Sequence, residues 1–319
     1  MLLALVAHRA GETNAALAAA APPGVEIVSL TPTQALVGLQ PGDAALGRLD
    51  VLPTLDGVDD GLAALGALAA RGVRVLNTPA ALLAAHDKLL TARVLHRAGL
   101  PHPRTRLLEH GGPLPDLEAP LVVKPRFGSW GREVALLTDE RALRRHLVEL
   151  ATRPWFRAQG ALAQELVPPL GSDLRVVVCG ERVVGAISRV AQHGEWRTNV
   201  ALGARRVPVT PPPAASVLAV RAAAAAGADL LGVDLLPDGA GGWTILELNG
   251  AVDFTPDYGL GDDPFVAAAA ELARLARAEA ERRPPLVRRV GELAELAGDE
   301  VGGLLADVDG VVSDPLEAA

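Results

Sequence analysis

Residues Thr244–Phe254, TILELNGAVDF, begin as a half-apolar strand and then leave it on Gly250. Side chains of a strand alternate between faces, so Glu247 and Asn249 share one side while Leu246 and Leu248 take the other. A carboxylate and an amide on one face, with no charge partner nearby in sequence, require a reason. Just upstream, LLGVDLLP (residues 230–237) repeats the design, with a single Asp234 inside an apolar run. Two strands that bring hard oxygen donors to a common face suit a divalent cation. A pair of edge strands with one wet face is the alternative.

The chain around this pair is long enough, at 319 residues, for two or three packed lobes. Apolar residues make up 50%, much of it alanine, which points to thin helices and few aromatic anchors. A net charge of -8 leaves no electrostatic footprint for nucleic acid. One cysteine, Cys179, excludes an internal disulfide and fits a reducing compartment. The opening MLLALVAHRAG lacks a basic segment and a cleavage-like site, so it reads as a first core strand. No stretch is long and apolar enough to span a bilayer. A cytoplasmic protein without membrane or nucleic-acid partners is expected.

Working outward, residues 1 to about 80 alternate apolar runs (LLALVA, VEIVSL, DVLPTL, VRVLN) with alanine-rich helical stretches, the pattern of a small parallel α/β layer. TPAALLAAHDKLLTARVLHRAGLPHPRT reads as helices closed by Gly99 and stopped by Pro101 and Pro103. Strands then predominate to about residue 200 (PLVVKP, EVALLT, ALAQEL, LRVVVCG, RVVGAISRV), interrupted by one helix from about Asp139 to Ala151. RVVVCGERVVGAI is a hairpin turning at Gly180 and Glu181. A Pro-rich joint, VPVTPPPAAS, leads to an alanine-rich helix, the two carboxylate strands and a last helix from about Pro264 to Ala280. No internal repeat is visible.

Of 30 basic residues only Lys88 and Lys124 are lysines; the other 28 are arginines. A chain that uses arginine for almost every cation retains lysine where a compact point charge is wanted, as at a phosphate. Lys124 ends LVVKP, where a buried strand emerges, and Lys88 follows Asp87 on a helix. Directly after Lys124, PRFGSWGREV carries Gly128, Ser129 and Gly131 between two strand patterns. Such a loop offers backbone N–H groups to phosphates, although most glycine-bearing hairpins bind nothing.

The order Lys88, VVKP with Lys124, a small glycine-bearing loop, AQEL, SDLRVVV, EWRTNVALG, GVDLL and LELNG resembles the ATP-grasp ligases. More narrowly it resembles the RimK/LysX-like ATP-dependent carboxylate–amine (glutamate) ligases, over roughly residues 75 to 280. The resemblance implies an α/β (α+β) fold, with an N-terminal parallel preATP-grasp domain over 1–80. Linker helices and the central nucleotide lobe would follow over 81–200, and a C-terminal lobe with the metal site over 201–283, so that two lobes clamp ATP. Residues 284–319 would form an accessory helix and tail.

Carried over by position, Lys88 and Lys124 match the lysines that hold ATP phosphates, under the loop of Gly128, Ser129 and Gly131. Glu165 and Leu166 match the adenine hinge, and Asp173 a residue on the ribose. Arg197 and Asn199 match the strand along the triphosphate and acylphosphate. Asp234, Glu247 and Asn249 match the ligands of Mg²⁺ or Mn²⁺, which answers the opening question. Arg189 is a candidate for an acylphosphate or substrate carboxylate, against a surface salt bridge.

This sequence departs from many relatives at Trp130 and Arg132, where a Lys-Gly or similar small pair is usual. It also has GAVDF after Asn249 where RimK itself has Ser-Pro-Gly, nearer to the Met-Glu-Phe of LysX-like enzymes. His8 and His193 read as capped or solvated, Cys179 as a small core hydrophobe, and Asp253 and Asp257 as loop acids that could select an amino substrate. The implied reaction joins a carboxylate to an amine, small molecule or protein tail, through an acylphosphate. A kinase and a nucleotide sensor without turnover are the competing classes. A homo-oligomer is compatible with the sequence.

Overall fold

The computed structural model describes residues 1–278. Four short runs of apolar residues form a parallel sheet: β1 (Leu2–Val6), β2 (Glu26–Leu30), β3 (Ala44–Gly47) and β4 (Arg74–Leu76), in the order β2-β1-β3-β4. Helices α1 (Glu12–Ala19), α2 (Pro32–Gly38) and α3 (Leu62–Ala70) connect them. Thr31 and Gln34 close α2 with a capping box, and Pro32 starts the helix at a position where its missing N–H costs nothing.

One strand differs from the sequence reading. DVLPTL is not in the sheet; the third strand is the preceding AALG. Pro53 removes a ladder donor, Leu55 takes φ of 66°, and only Val51 makes a bridge, to Val58. The apolar content of this loop serves a different core, since Leu55 packs with Leu108, Leu121 and Val123 of the next sheet.

Helix α4 (Pro79–His86) is capped by Thr78, and α5 (Lys88–Arg97) by Asp87, whose carboxylate accepts from Leu89 and Leu90 N–H. An antiparallel sheet of β5 (Thr105–Leu108), β6 (Leu121–Pro125), β7 (Ala135–Leu137) and β8 (Ala161–Glu165) follows, in the order β5-β8-β6-β7. It is covered by α6 (Glu140–Leu150) and by α7 (Pro154–Gln159), a helix the sequence reading lacked. Six residues show no helical period, but Trp155 and Phe156 plug this core, each nearly full burial stabilising by roughly 1.5–3 kcal/mol.

The remaining strands, β9 (Ser172–Cys179), β10 (Arg182–Val190), β11 (Arg205–Pro208), β12 (Leu230–Pro237) and β13 (Trp243–Asn249), form an antiparallel sheet ordered β11-β10-β9-β12-β13. It joins strands from both sides of residue 200. β11 runs into the expected Pro-rich joint, whose first two residues, Val207 and Pro208, end the strand; Pro208 is tolerated because the strand is an edge.

Both faces of this sheet are covered. Val176 and Val178 pack with the alanines of α8 (Pro213–Ala226), while Val177 and Cys179 pack with Phe265, Ala268 and Leu272 of α9 (Pro264–Arg277). That explains why VVVC is continuously apolar instead of alternating. The expected end of α9 near Ala280, and the accessory helix and tail over 284–319, lie outside the described residues. Among the described residues no helix is long and apolar enough to cross a membrane.

Candidate active site

Three pieces of secondary structure aim the two lysines at the opening carboxylates. Lys88 is the first residue of α5, placed there by its neighbour: buried Asp87 caps the helix and pairs with Arg126, at 2.9 Å to Nε and 2.8 Å to Nη2. The Lys88 N–H also donates to the Arg126 carbonyl at 3.1 Å, which ties the helix start to the end of β6. From that anchor Lys88 Nζ reaches the Gly128 carbonyl and lies 2.8 Å from Glu247 Oε1.

Lys124, 6% exposed, is the last residue but one of β6 and donates to Gln164 Oε1 at 2.9 Å. Burial lowers its ammonium from the ordinary 10.5 to about 8, against the opposing pull of Glu247. Behind it, Gln164 Nε2 donates to Thr105 Oγ1 at 2.9 Å and lies 3.3 Å from His102 Nε2. His102 Nδ1 sits 2.8 Å from the Ile245 carbonyl on β13. Desolvation lowers His102 to about 4, so the ring is neutral, with Nδ1 donating and Nε2 accepting.

The carboxylates meet across β12 and β13, where Asp234 is the register partner of Glu247. A bulge at the next step places Leu235 opposite Ile245, so Leu246 is the extra residue. Asp234 accepts from Arg175 at 2.6 and 2.7 Å and lies 2.9 Å from Arg189 Nη2. Burial opposes ionisation of Asp234, but these two arginines hold its carboxyl well below the usual range. Arg189 is thus an interior cation shared between Asp234 and Asp173, not a surface pair. Asp173 is itself buried and accepts from Thr198 Oγ1.

The loop after Lys124 closes the cleft from above. Trp130 and Glu133 adopt left-handed φ of 60° and 54°, and the Arg132 guanidinium lies 4.7 Å from the Trp130 ring centre. Gly131, at φ 72°, comes so close to the far wall that an added Cβ would lie 2.8 Å from Asn199 Oδ1. Arg197 Nη1 donates to the Gly131 carbonyl at 3.2 Å, while its other donors are taken by Glu195.

The cleft so enclosed holds about 950 Å³, counting the solvent at its mouth, and its wall includes Lys88, Lys124, Gly128, Ser129, Gly131, Glu165, Leu166, Asp173, Arg189, Arg197, Asn199, Asp234 and Glu247. Asn249 lies outside that wall, as do the loop acids Asp253 and Asp257; the Asn249 Nδ2 is buried without a partner. Among the described residues no group of three or more His, Cys, Asp and Glu side chains gathers to hold a metal. The fit for a divalent ion therefore rests on the carboxylates of Asp234 and its register partner Glu247, hard oxygen donors of the kind magnesium completes with water and phosphate oxygens, with the side-chain oxygen of Asn249 the third oxygen donor on the same strand pair. Glu165 is paired with exposed Arg104 at 3.2 Å. His8 is exposed and bonded to the Asp60 carbonyl, His193 is exposed, and Cys179 is fully buried.

Sequence reading missed Arg175, Gln164, His102 and the Asp87–Arg126 pair. Arg175 had a signal: it stands two residues after Asp173 on β9, hence on the same face. Gln164 had one too, next to Glu165 in a motif already singled out. His102 had none, because the contacts that tie it to the cleft, Gln164 and the Ile245 carbonyl, come from 62 and 143 residues away.

A parallel layer followed by two antiparallel sheets that enclose a charged cleft defines an ATP-grasp fold. Residues 85–258, over half of the chain, match the RimK-like ATP-grasp domain, and the chain belongs to that family. It is 30% identical over 222 residues to a glutamate–LysW ligase, ArgX, of Sulfurisphaera tokodaii, covering 67% of this chain and 78% of that one. It is 34% identical over 185 residues to an α-aminoadipate–LysW ligase, LysX, of Sulfolobus acidocaldarius, covering 56% of this chain and 66% of that one. A probable α-L-glutamate ligase of Legionella pneumophila is 34% identical, over 59% of this chain and 63% of its own length. The chain thus spans about two thirds of the length of these curated relatives, from 63% to 78%.

Among solved structures, a RimK-domain ATP-grasp protein of Sphaerobacter thermophilus superposes with a TM-score of 0.60 at 23% identity, covering 86% of this chain and all of that one. A D-alanine–D-alanine ligase of Bacillus anthracis complexed with ATP gives 0.63 at 16%, over 86% of this chain and 97% of that one. The ATP-grasp fold works with ATP and a divalent metal in general.

Proposed function

We propose that the protein is an ATP-dependent carboxylate–amine ligase that uses Mg²⁺ or Mn²⁺ and forms ADP and phosphate. Its substrates would be an amino acid, glutamate or a close homologue, and an acceptor that is a small molecule or a protein tail. The observation that carries this reading is the convergence of both lysines of the chain on the Asp234–Glu247 pair beneath one loop. The ligase names of the ArgX, LysX and glutamate-ligase relatives support it.

In the first step a substrate carboxylate oxygen attacks the γ-phosphorus and the bond to the ADP oxygen breaks. In the second an amine attacks the carbonyl carbon of the acylphosphate, loses a proton, and phosphate leaves. The residues act by position and charge. Lys88 and Lys124 take phosphate oxygens, Arg189, Arg197 and Asn199 line the path of the transferring group, and Glu165 and Leu166 with Asp173 hold the nucleoside. Asp234, Glu247 and Asn249 would hold the metal, which supplies charge neutralisation at the phosphates. The Gly128–Gly131 loop keeps water from the acylphosphate. No nucleophilic side chain is needed, and Cys179 is buried away from the cleft. We place the protein in the cytoplasm, in keeping with its lone buried thiol.

The test is product stoichiometry. Purified protein with Mg²⁺ and ATP should release ADP and phosphate only when both a carboxylate and an amine are present. Formation of AMP, or of a stable phosphorylated small molecule, would overturn the ligase reading.

A further inference from the structure

Lys88 and Lys124 are held in different ways. Lys88 meets a carboxylate, Glu247, whereas the acceptor for Lys124 is a neutral amide oxygen, Gln164 Oε1. The second sheet makes that contact. Leu162 is the register partner of Lys124, so Gln164, two residues on, is its diagonal neighbour on the same face. Thr105 on β5 is the register partner of Gln164 from the other side. An ammonium carries three hydrogens, and Gln164 takes one, leaving two for the cleft.

An amide reversed end for end keeps its shape, so its neighbours decide which way it points. The Thr105 hydroxyl donates to the Pro103 carbonyl at 2.9 Å, a shorter contact than its 3.4 Å to His102 Nε2, and it accepts from Gln164 Nε2 at 2.9 Å. His102 Nδ1 donates to the Ile245 carbonyl, which leaves Nε2 of the neutral ring to accept the second amide hydrogen at 3.3 Å. Reversing Gln164 would set its oxygen against the His102 lone pair and its NH2 against the Lys124 ammonium. One arrangement remains, and every bond in it donates in the direction from Lys124 to β13.

The far end of this chain is moored. β13 is the edge of its sheet, and Ile245 uses its outward backbone groups on the segment between α5 and β5. Its N–H donates to the Pro101 carbonyl at 3.0 Å and its carbonyl accepts from His102 at 2.8 Å. Ile245 stands at the bulge, two residues before Glu247. The relay therefore runs from the strand of Glu247 to the strand of Lys124, two residues that face one cleft from different sheets.

Resting on the ligase reading, we propose that Gln164 and His102 are positioning residues that aim the Lys124 ammonium at the phosphates of ATP. Gln164 acts through Lys124, and His102 acts through Gln164. A carboxylate at position 164 would hold Lys124 as firmly but cancel the charge that phosphate oxygens need. A hydrocarbon there would leave a buried donor unmet and the lysine free to swing. The amide avoids both, provided that His102 keeps it from reversing.

The test is a double-mutant cycle on the full chain, read by MgATP affinity in calorimetry without carboxylate or amine, beside kcat for ADP release with both supplied. Gln164→Leu should weaken MgATP binding about fivefold and lower kcat about tenfold or more. Gln164→Glu should weaken MgATP binding at least as much, although it keeps the contact. In a Lys124→Met background the Gln164→Leu step should change MgATP affinity less than about twofold, because the group it acts through is gone. At position 102, glutamine places an oxygen near the site of Nε2, whereas asparagine keeps only a donor near that of Nδ1. His102→Gln should therefore retain most of kcat and His102→Asn should lose several-fold, with similar melting temperatures.

Equal losses from Gln164→Leu in the two backgrounds overturn the relay, and so do His102→Gln and His102→Asn proteins that behave alike. Where Lys124→Met leaves no measurable MgATP affinity, the His102 pair decides. A fall in melting temperature of Gln164→Leu with affinity and kcat intact also overturns it, since that marks a merely structural contact. Coupling of Gln164 to Lys124 in MgATP affinity, without ADP release when carboxylate and amine are supplied, would instead sink the ligase reading and leave the relay standing.

Discussion

Lys88 Nζ lies 2.8 Å from Glu247 Oε1, so the carboxylate on β13 is neutralised within the cleft by one of the chain's two lysines. On the proposed reading, a nucleotide with its metal would exchange this pairing for two new ones, Lys88 with phosphate oxygens and Glu247 with the metal.

Glu247→Gln should therefore remove metal-dependent turnover by about two orders of magnitude while leaving the fold intact. The amide keeps the volume and can still accept from Lys88, but it no longer offers a charged ligand. Steady-state ADP release across a magnesium titration measures this. Near-normal activity with unchanged magnesium dependence would make β12 and β13 a merely wet face.

Lys124 titrates near 8 in the ligand-free protein, below its ordinary 10.5. The unfolded chain thus binds more protons than the folded one between about 8 and 10.5, and this residue's contribution to stability rises with pH across that window. Phosphate oxygens favour the ammonium, so nucleotide binding at pH 8 to 9 should take up a fraction of a proton. Calorimetry in buffers of different ionisation enthalpy reads that uptake directly. An absence of uptake would place Lys124 away from the phosphates.

Lys124→Arg should bind ATP several-fold more weakly and turn over roughly tenfold more slowly, with melting temperature nearly unchanged. The planar guanidinium cannot occupy the point where the ammonium meets Gln164 without displacing the loop above it. Arg141→Lys on α6 is the control, and equal behaviour of the two variants would refute the phosphate assignment.

Gly131→Ala combines a left-handed φ with a Cβ 2.8 Å from Asn199 Oδ1, so either the loop or the Asn199 side chain must shift and their fit is loosened. The expected result is uncoupling: more phosphate released per amide formed, because water reaches the acylphosphate. Product ratios by chromatography test it, and tight coupling in the variant would show that the loop does not exclude water.

His86 and His102 are both held neutral by burial, each lowered to about 4. Between pH 6.5 and 4 the unfolded chain binds the extra protons, so their stabilising contribution is lost as pH falls through that range, by up to about 3 kcal/mol each. Denaturant midpoints should drop in this interval, and His86→Gln with His102→Gln should flatten the drop. A slope unchanged by both substitutions would assign it to carboxylates instead.

What could be read from the chain follows from how local each signal is. Asp234 and Glu247 stood out because a charge inside an apolar period-two run is anomalous over a few residues. Lys88 and Lys124 stood out against a background of arginine. By contrast DVLPTL is as apolar as a strand, and only its packing against the second sheet tells that Leu55 belongs elsewhere. His102 was illegible for a related reason. Gln164 and the Ile245 carbonyl are 62 and 143 residues away, and the direction of each hydrogen bond can be assigned only once the surrounding atoms are placed.

Cys179 is fully buried, its thiol pushed well above the ordinary range by burial, and its Sγ faces the Ala268 carbonyl. Since the chain carries no other cysteine, the native protein should be inert to maleimide and iodoacetamide under folding conditions. A cysteine placed at Trp130, on the loop tip, would be a unique handle for a fluorophore without first deleting the native thiol. A change in that loop's position on adding nucleotide can then be looked for on single molecules of otherwise unaltered protein.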